Sequence, residues 1–211
     1  PPRSTPLYSS AASDVYKRQI WNFGGVIGDG PGQRGIVDDE KMPGARFFPD
    51  AKLNFARNLL RRNDDSDAIV FWGESKVRRT MSWRELNAAV GRLQHALLAA
   101  GVGVGDRVAG QLPNMPEAII AMLATASLGA TWSACSPDFG TQGVIDRFGQ
   151  IEPKVLIAVD GYHYAGKTHD CLSHLREIRP LLPSLKQVIV VGYAQSKPDL
   201  QGIADAVRYD E

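Results

Sequence analysis

Between Asp106 and Gly140 the chain reads DRVAGQLPNMPEAIIAMLATASLGATWSACSPDFG, and this stretch leaves few folds open. The apolar residues of 107–112 predict a short strand that breaks at Pro113 and Asn114. A helix is expected from about Pro116 to Leu128, with Gly129 ending it and a second strand opening at Ala130. A strand, a helix and a strand joined by connections this short make a parallel βαβ crossover. The second strand runs into the loop 136–140, SPDFG. In open α/β sheets ligands bind beyond the carboxyl ends of the strands.

The flanking sequence extends the same pattern. Residues 68–73, AIVFWG, predict a strand that turns at Glu74 and Ser75 and returns over 77–81. Ser82 with Glu85 three residues on forms a capping box. It opens a helix to Ala100 with Trp83, Leu86, Ala89, Val90, Leu93 and Leu97 on one stripe, closed by Gly101. Further helices are expected over 142–150 and 169–179, and strands over 154–159 and 187–191. Strands alternating with helices imply an α/β fold with a largely parallel sheet flanked by helices and one antiparallel hairpin. Upstream, residues 45–62 combine Phe47 and Phe48 with an amphipathic helix through Leu53, Ala56, Leu59 and Leu60. Residues 1–19 are Pro- and Ser-rich without either hydrophobic period. Their run SSAASDVYKRQ resembles translated adapter read-through, so 1–19 is expected to be a non-native or disordered arm.

A net charge of +1 gives no electrostatic footprint for nucleic acid or an anionic membrane. No run of eighteen apolar residues occurs, and the first residues lack the charged-then-apolar order of a secretory signal. Two cysteines, Cys135 and Cys171, make no disulfide framework and fit a reducing, cytoplasmic setting. The four histidines, His95, His163, His169 and His174, show no metal-ligand spacing. Asp64, Asp65 and Asp67 lack the spacing of a calcium loop and are expected to be solvated. No nucleophile elbow or Cys–His pair is present.

Residues 161–168, GYHYAGKT, match the phosphate-loop pattern with Gly161, Gly166, Lys167 and Thr168 in place, after a strand and before an expected helix. Taken alone, this suggests a nucleoside triphosphatase or kinase. Against that, Tyr162, His163 and Tyr164 crowd the nest of backbone N–H groups such a loop needs, and no acidic magnesium partner follows the next apolar strand. A surface loop with tyrosines packed on a sheet edge, in a non-enzymatic α/β binding module, also fits the residues.

Three separated segments carry a family resemblance: ARFFPDAKLNFARNLL at 45–60, MSWRELNAAVGRLQHALLAAGVGVGDRV at 81–108, and LPNMPEAIIAMLATASLGATWSACSPDFG at 112–140. They resemble the adenylate-forming acyl-CoA synthetases, in order, and the likeness spans roughly 20–211. The loop WSACSPDFG resembles the acetoacetate-activating members; acetate or propionate activation is the alternative within the family. The resemblance implies an N-terminal cap of acetyl-CoA-synthetase type over 20–65 and the start of a truncated AMP-binding (adenylation) domain over 66–211. It implies acid–thiol ligation with ATP, coenzyme A and Mg²⁺: acetoacetate becomes an acyl-adenylate, and the thiol of coenzyme A then displaces AMP. Small molecules would be its partners, not nucleic acid or membrane. In these relatives the loop after the 154–159 strand holds a short basic motif on coenzyme A, which maps here onto Tyr164, Ala165, Gly166 and Lys167. Relatives often carry arginine where this chain has Tyr164. The family's Ser/Thr/Gly-rich ATP loop ending in lysine, its ribose-binding acid and its catalytic lysine are not visible. The chain is therefore expected to be an inactive N-terminal fragment with no catalytic residue of its own.

Overall fold

The computed structural model describes residues 10–74 and 77–211. The chain divides into two compact units between Leu59 and Leu60. In the first, α1 (Ser10–Phe23) is followed by the two-residue strands β1 (Ile36–Val37) and β2 (Arg46–Phe47), which pair antiparallel, and by α2 (Phe55–Leu59). Helix α1 departs from the expectation that 1–19 stand outside the fold; residues 1–9 lie outside the described residues. Its apolar side chains are largely exposed, Val15, Tyr16 and Ile20 among them, which is why no hydrophobic period signals the helix. Polar contacts tie it down instead. Asp14 accepts from Arg18 one turn on at 2.9 Å and from the backbone N–H of Gly35, and Arg18 donates to the carbonyls of Gly32 (2.8 Å) and Gln33. The Arg18 hydrogen bond also holds the Asp14 carboxyl below the usual carboxylate range. Trp21 is buried with its ring 4.9 Å from that of Phe48.

The amphipathic helix expected through Leu53, Ala56, Leu59 and Leu60 shrinks to α2. Residues 46–47 are used by β2, and Asn54 caps the short helix by accepting from Arg57 N–H at 3.1 Å. Asn58 then pairs with the backbone of Ile27, accepting from its N–H and donating to its carbonyl, both at 2.8 Å.

The second unit opens with an antiparallel pair, β3 (Asp67–Gly73) and β4 (Val77–Ser82), and then α3 (Trp83–Ala99). The capping box forms as expected: Ser82 Oγ accepts from Glu85 N–H at 3.2 Å, and the Glu85 carboxylate accepts from Ser82 N–H at 2.7 Å. There follow β5 (Arg107–Gln111), α4 (Pro116–Ser127), β6 (Thr131–Cys135), α5 (Thr141–Ile151) and β7 (Val155–Val159). A second antiparallel pair, β8 (Gly161–Tyr164) and β9 (Lys167–Asp170), leads to α6 (Leu172–Ile178), β10 (Gln187–Val191) and β11 (Ala206–Arg208). The expected helix 169–179 begins late because 167–170 pair with 161–164. The Asp170 carboxylate then accepts from the N–H groups of Leu172 (3.3 Å) and Ser173 (3.1 Å) at the helix start. The three-residue β11 carries no alternation long enough to announce it.

Five strands form one parallel sheet in the order β11-β10-β7-β5-β6. All of β7, VLIAV, is buried, as expected for a parallel strand covered on both faces. On one face Ala109, Leu156, Ala158, Val188 and Val190 share a core with Val144 and Phe148 of α5 and Leu172, Leu175 and Ile178 of α6. The alternate residues Val108, Val155, Ile157, Val159 and Ile189 are equally buried and point to the opposite face. Helix α4 packs on β5 and β6, and α3 packs on α4. Gly110 of β5 is required by its neighbour: a Cβ there would run into the indole of Trp132 on β6.

Phe148 is fully buried, whereas Leu98 on α3 is half exposed. Phe148→Ala is expected to lower unfolding free energy by about 3–5 kcal/mol in urea denaturation, through lost transfer energy and a cavity. Leu98→Ala should stay within about 0.5 kcal/mol.

Candidate functional site

The strand order reverses between β5 and β7. The chain leaves β5 through α4, outside the buried cluster, and leaves β7 towards α6, within it. Helices departing to opposite faces from neighbouring parallel strands open a crevice at their carboxyl ends, where open α/β sheets take ligands.

Asp160 stands at that edge, immediately after β7, and is 1 % exposed. Its carboxylate accepts three backbone N–H groups from the loop that follows β10: Tyr193 at 2.7 Å, Ala194 at 2.9 Å and Gln195 at 2.7 Å. A carboxylate satisfied by three N–H donors tolerates burial that an isolated charge would not. Its backbone completes the joint: Asp160 N–H donates to Val191 O at 3.1 Å, and its carbonyl accepts from Cys171 N–H at 2.9 Å. The loop after β10 and the hairpin after β7 are thus anchored to one residue. From that loop Tyr193 reaches two hairpins. Its ring centroid lies 5.3 Å from His163 on β8 and 6.2 Å from Phe71 on β3. Burial raises its phenol above the ordinary value. Gly73 makes room for the Tyr193 hydroxyl; a Cβ at Gly73 would collide with it.

The four residues singled out in the sequence, Tyr164, Ala165, Gly166 and Lys167, come together at the tip of the β8–β9 hairpin. Tyr164 pairs with Lys167 across it, and Ala165 and Gly166 form the turn with φ of 51° and 74°. Tyr164 and Lys167 are both exposed. Below them Tyr162 stacks on His169 at 4.8 Å and 14°, on the same face by strand alternation. On the other face His163 Nδ1 lies 3.0 Å from Thr168 Oγ1. Among the described residues Lys167 has no ion-pair partner. The turn N–H groups of Ala165 and Gly166 do have one acceptor: the Glu74 carboxylate takes both, at 2.8 and 3.3 Å, from the end of β3.

The phosphate-loop reading of 161–168 fails on this geometry. Such a loop gathers successive backbone N–H groups around an anion and passes directly into a helix. Here residues 161–164 and 167–170 are paired in an antiparallel ladder, and no helix begins before Leu172.

The loop 136–140 keeps Phe139 against the core beneath the Arg147 guanidinium, 4.4 Å away. Cys135 and Cys171 are buried and free, and burial pushes their thiols up to about 11 and about 12. Both remain protonated near neutrality and offer no nucleophile. Among the described residues no three His, Cys, Asp or Glu side chains converge as a metal site, so these residues offer magnesium no protein cage. Among them, too, no helix is long and apolar enough to cross a membrane. Asp160 and Glu74 escaped sequence reading. The first had a signal, an apolar strand ending in Asp-Gly. The second had none, because its partner lies 91 residues away.

The chain matches the model of the AMP-binding enzyme family over residues 55–210 and belongs to that family. It is 54% identical over 187 residues to an acetoacetyl-coenzyme A synthetase of Rhizobium meliloti, covering 89% of this chain and 28% of the relative. An acetoacetyl-CoA synthetase of Macaca fascicularis is 37% identical over 202 residues, covering 92% of this chain and 30% of the relative. Among solved structures, acetoacetyl-CoA synthetase from Streptomyces lividans superposes with a TM-score of 0.87 at 36% identity, covering 99% of this chain and 33% of that one. The chain therefore spans under a third of the length of these relatives.

Asp160→Asn keeps the shape but turns an N–H₂ group towards at least one backbone donor. It is expected to cost about 1–3 kcal/mol of stability, the penalty of a buried donor left unpaired. Amide hydrogen exchange should rise first at Tyr193, Ala194 and Gln195. Unchanged protection at these three amides would show that the carboxylate does not hold the loop.

Proposed function

We propose that this member of the AMP-binding enzyme family is the N-terminal part of an acetoacetate–CoA ligase. What carries the proposal is the likeness to acetoacetyl-CoA synthetases over nearly the whole chain, in sequence and in fold. In the first half-reaction a carboxylate oxygen of acetoacetate attacks the α-phosphorus of ATP, and pyrophosphate leaves. In the second the sulfur of coenzyme A attacks the acyl carbonyl, AMP departs and the thiol proton is released. ATP and coenzyme A are the cosubstrates; Mg²⁺ would accompany the ATP phosphates. Acetate or propionate activation is the nearest alternative. The buried, unpaired Cys135 and Cys171 support a reducing compartment, the cytoplasm.

The chain contributes the sheet scaffold and one wall of the coenzyme A channel. Lys167 would face a coenzyme A phosphate as a point charge, with the exposed Tyr164 ring beside it and Ala165 and Gly166 forming the turn between them. The hairpin's position at the carboxyl edge of the parallel sheet supports this assignment.

Residues 1–211 with ATP and acetoacetate should release no pyrophosphate above background. In the protein extended to the length of its relatives, acetoacetate should drive ATP–pyrophosphate exchange far better than acetate or propionate; preference for either of these would reassign the substrate. Lys167→Ala should raise the KM for coenzyme A about fivefold, since an exposed charge pair contributes up to about 1 kcal/mol. Exchange, which precedes coenzyme A binding, should be unaffected. Loss of exchange in that variant would place Lys167 on ATP instead.

A further inference from the structure

The tip of the β8–β9 hairpin already holds an anion, and that anion belongs to the protein. Two consecutive left-handed residues, Ala165 and Gly166, turn their N–H groups outward, where the antiparallel ladder does not use them. Successive N–H groups in such a turn form a concavity for a negatively charged oxygen. The Glu74 carboxylate straddles them with one oxygen on each. Glu74 is exposed and takes a left-handed φ of 47°, a conformation that non-glycine residues adopt sparingly. The exposed Lys167 follows in sequence, so the turn joins two neutral donors to a cation. Around it stand Tyr164, across from Lys167, and His163 and Thr168 one pair down. Among the described residues Glu74 is the one carboxylate that hydrogen-bonds to the turn. Both of its partners are backbone groups, so its removal leaves no buried side chain unsatisfied.

We infer that Glu74 is a built-in competitor at an anion site formed by the N–H groups of Ala165 and Gly166 with Lys167, and that a ligand phosphate must displace it to bind. The inference rests on the proposal that this hairpin meets coenzyme A. Its new content is regulatory. Glu74, at the end of β3, closes the site with its carboxylate when no phosphate is present, and charge repulsion drives that carboxylate off when one arrives. The exchange is cheap because both states keep the two N–H groups paired and Glu74 returns to water. A prop would behave oppositely: a side chain that merely holds the hairpin in place would weaken binding when removed.

The test is equilibrium binding of adenosine 3′,5′-bisphosphate, the nucleotide head of coenzyme A, to residues 1–211 by calorimetry at low salt. The proteins compared are the native chain, Glu74→Gln, Glu74→Gly and Lys167→Ala. Glu74→Gln keeps the shape without the charge, and Glu74→Gly suits the positive φ and removes the acceptor. Both Glu74 variants should bind about fivefold more tightly than the native chain, the factor an exposed charge contact commands, and the gain should shrink at high salt. Lys167→Ala should bind about fivefold more weakly. Weaker or unchanged binding by both Glu74 variants, with Lys167→Ala still weakened, would retain the hairpin as a phosphate site and overturn the role of Glu74. Binding unaffected by any of the three substitutions, or absent from all four proteins, would overturn the coenzyme A assignment and the competitor together.

Discussion

A parallel sheet buried on both faces confines polar chemistry to the ends of its strands. Strand β7 has no exposed residue, and its neighbours β5 and β10 are buried over four of their five positions. Helices must therefore cover both faces, and the first polar group after β7 must either find partners or leave the interior. Asp160 finds them. Three backbone N–H groups from the loop after β10 converge on one carboxylate, so the ends of two adjacent strands are fixed to each other. Tyr193 in that loop meets His163 and Phe71, and the orientation of the β8–β9 hairpin follows from that joint.

Electrostatic contacts elsewhere join elements that share little apolar surface. Arg79 on β4 makes two parallel hydrogen bonds, at 2.8 and 2.7 Å, to Glu117 in the first turn of α4. The Glu117 side chain is 8% exposed, and the pairing raises the Arg79 guanidinium further above its ordinary value. A carboxylate in the first turn also complements the helix dipole. The Arg79–Glu117 ion pair ties β4 to α4, and the ring of Tyr193 meets one residue of each antiparallel pair, Phe71 on β3 and His163 on β8.

Much of the sheet was legible in the sequence. The βαβ unit lies within one residue of its expected bounds, and the Ser82–Glu85 box starts α3 where the pattern put it. These features are local: apolar runs, a Pro, a Gly and a cap within a few residues of one another. The hairpin was not legible, because GYHY and KTHD have no apolar alternation. Their pairing is carried by Tyr162 stacked on His169 and by the left-handed turn at Ala165 and Gly166. The phosphate-loop pattern competed for the same residues, and only the ladder decides between them. Helix α1 was missed for a related reason, since Asp14 and Arg18 hold it through loop backbone that no periodicity reveals. The four candidate residues come together at the hairpin tip, yet the carboxylate that faces two of them comes from 91 residues upstream.

The proposed meeting point of this chain with coenzyme A is the β8–β9 hairpin, oriented from Asp160. Backbone amide chemical-shift mapping of residues 1–211 titrated with coenzyme A tests it most directly. The account predicts the largest shifts at Ala165, Gly166 and Lys167, with smaller ones at Glu74 and Tyr193. Shifts centred on the loop 136–140 or on the α3–β11 side of the sheet, with the hairpin amides unmoved, would contradict it.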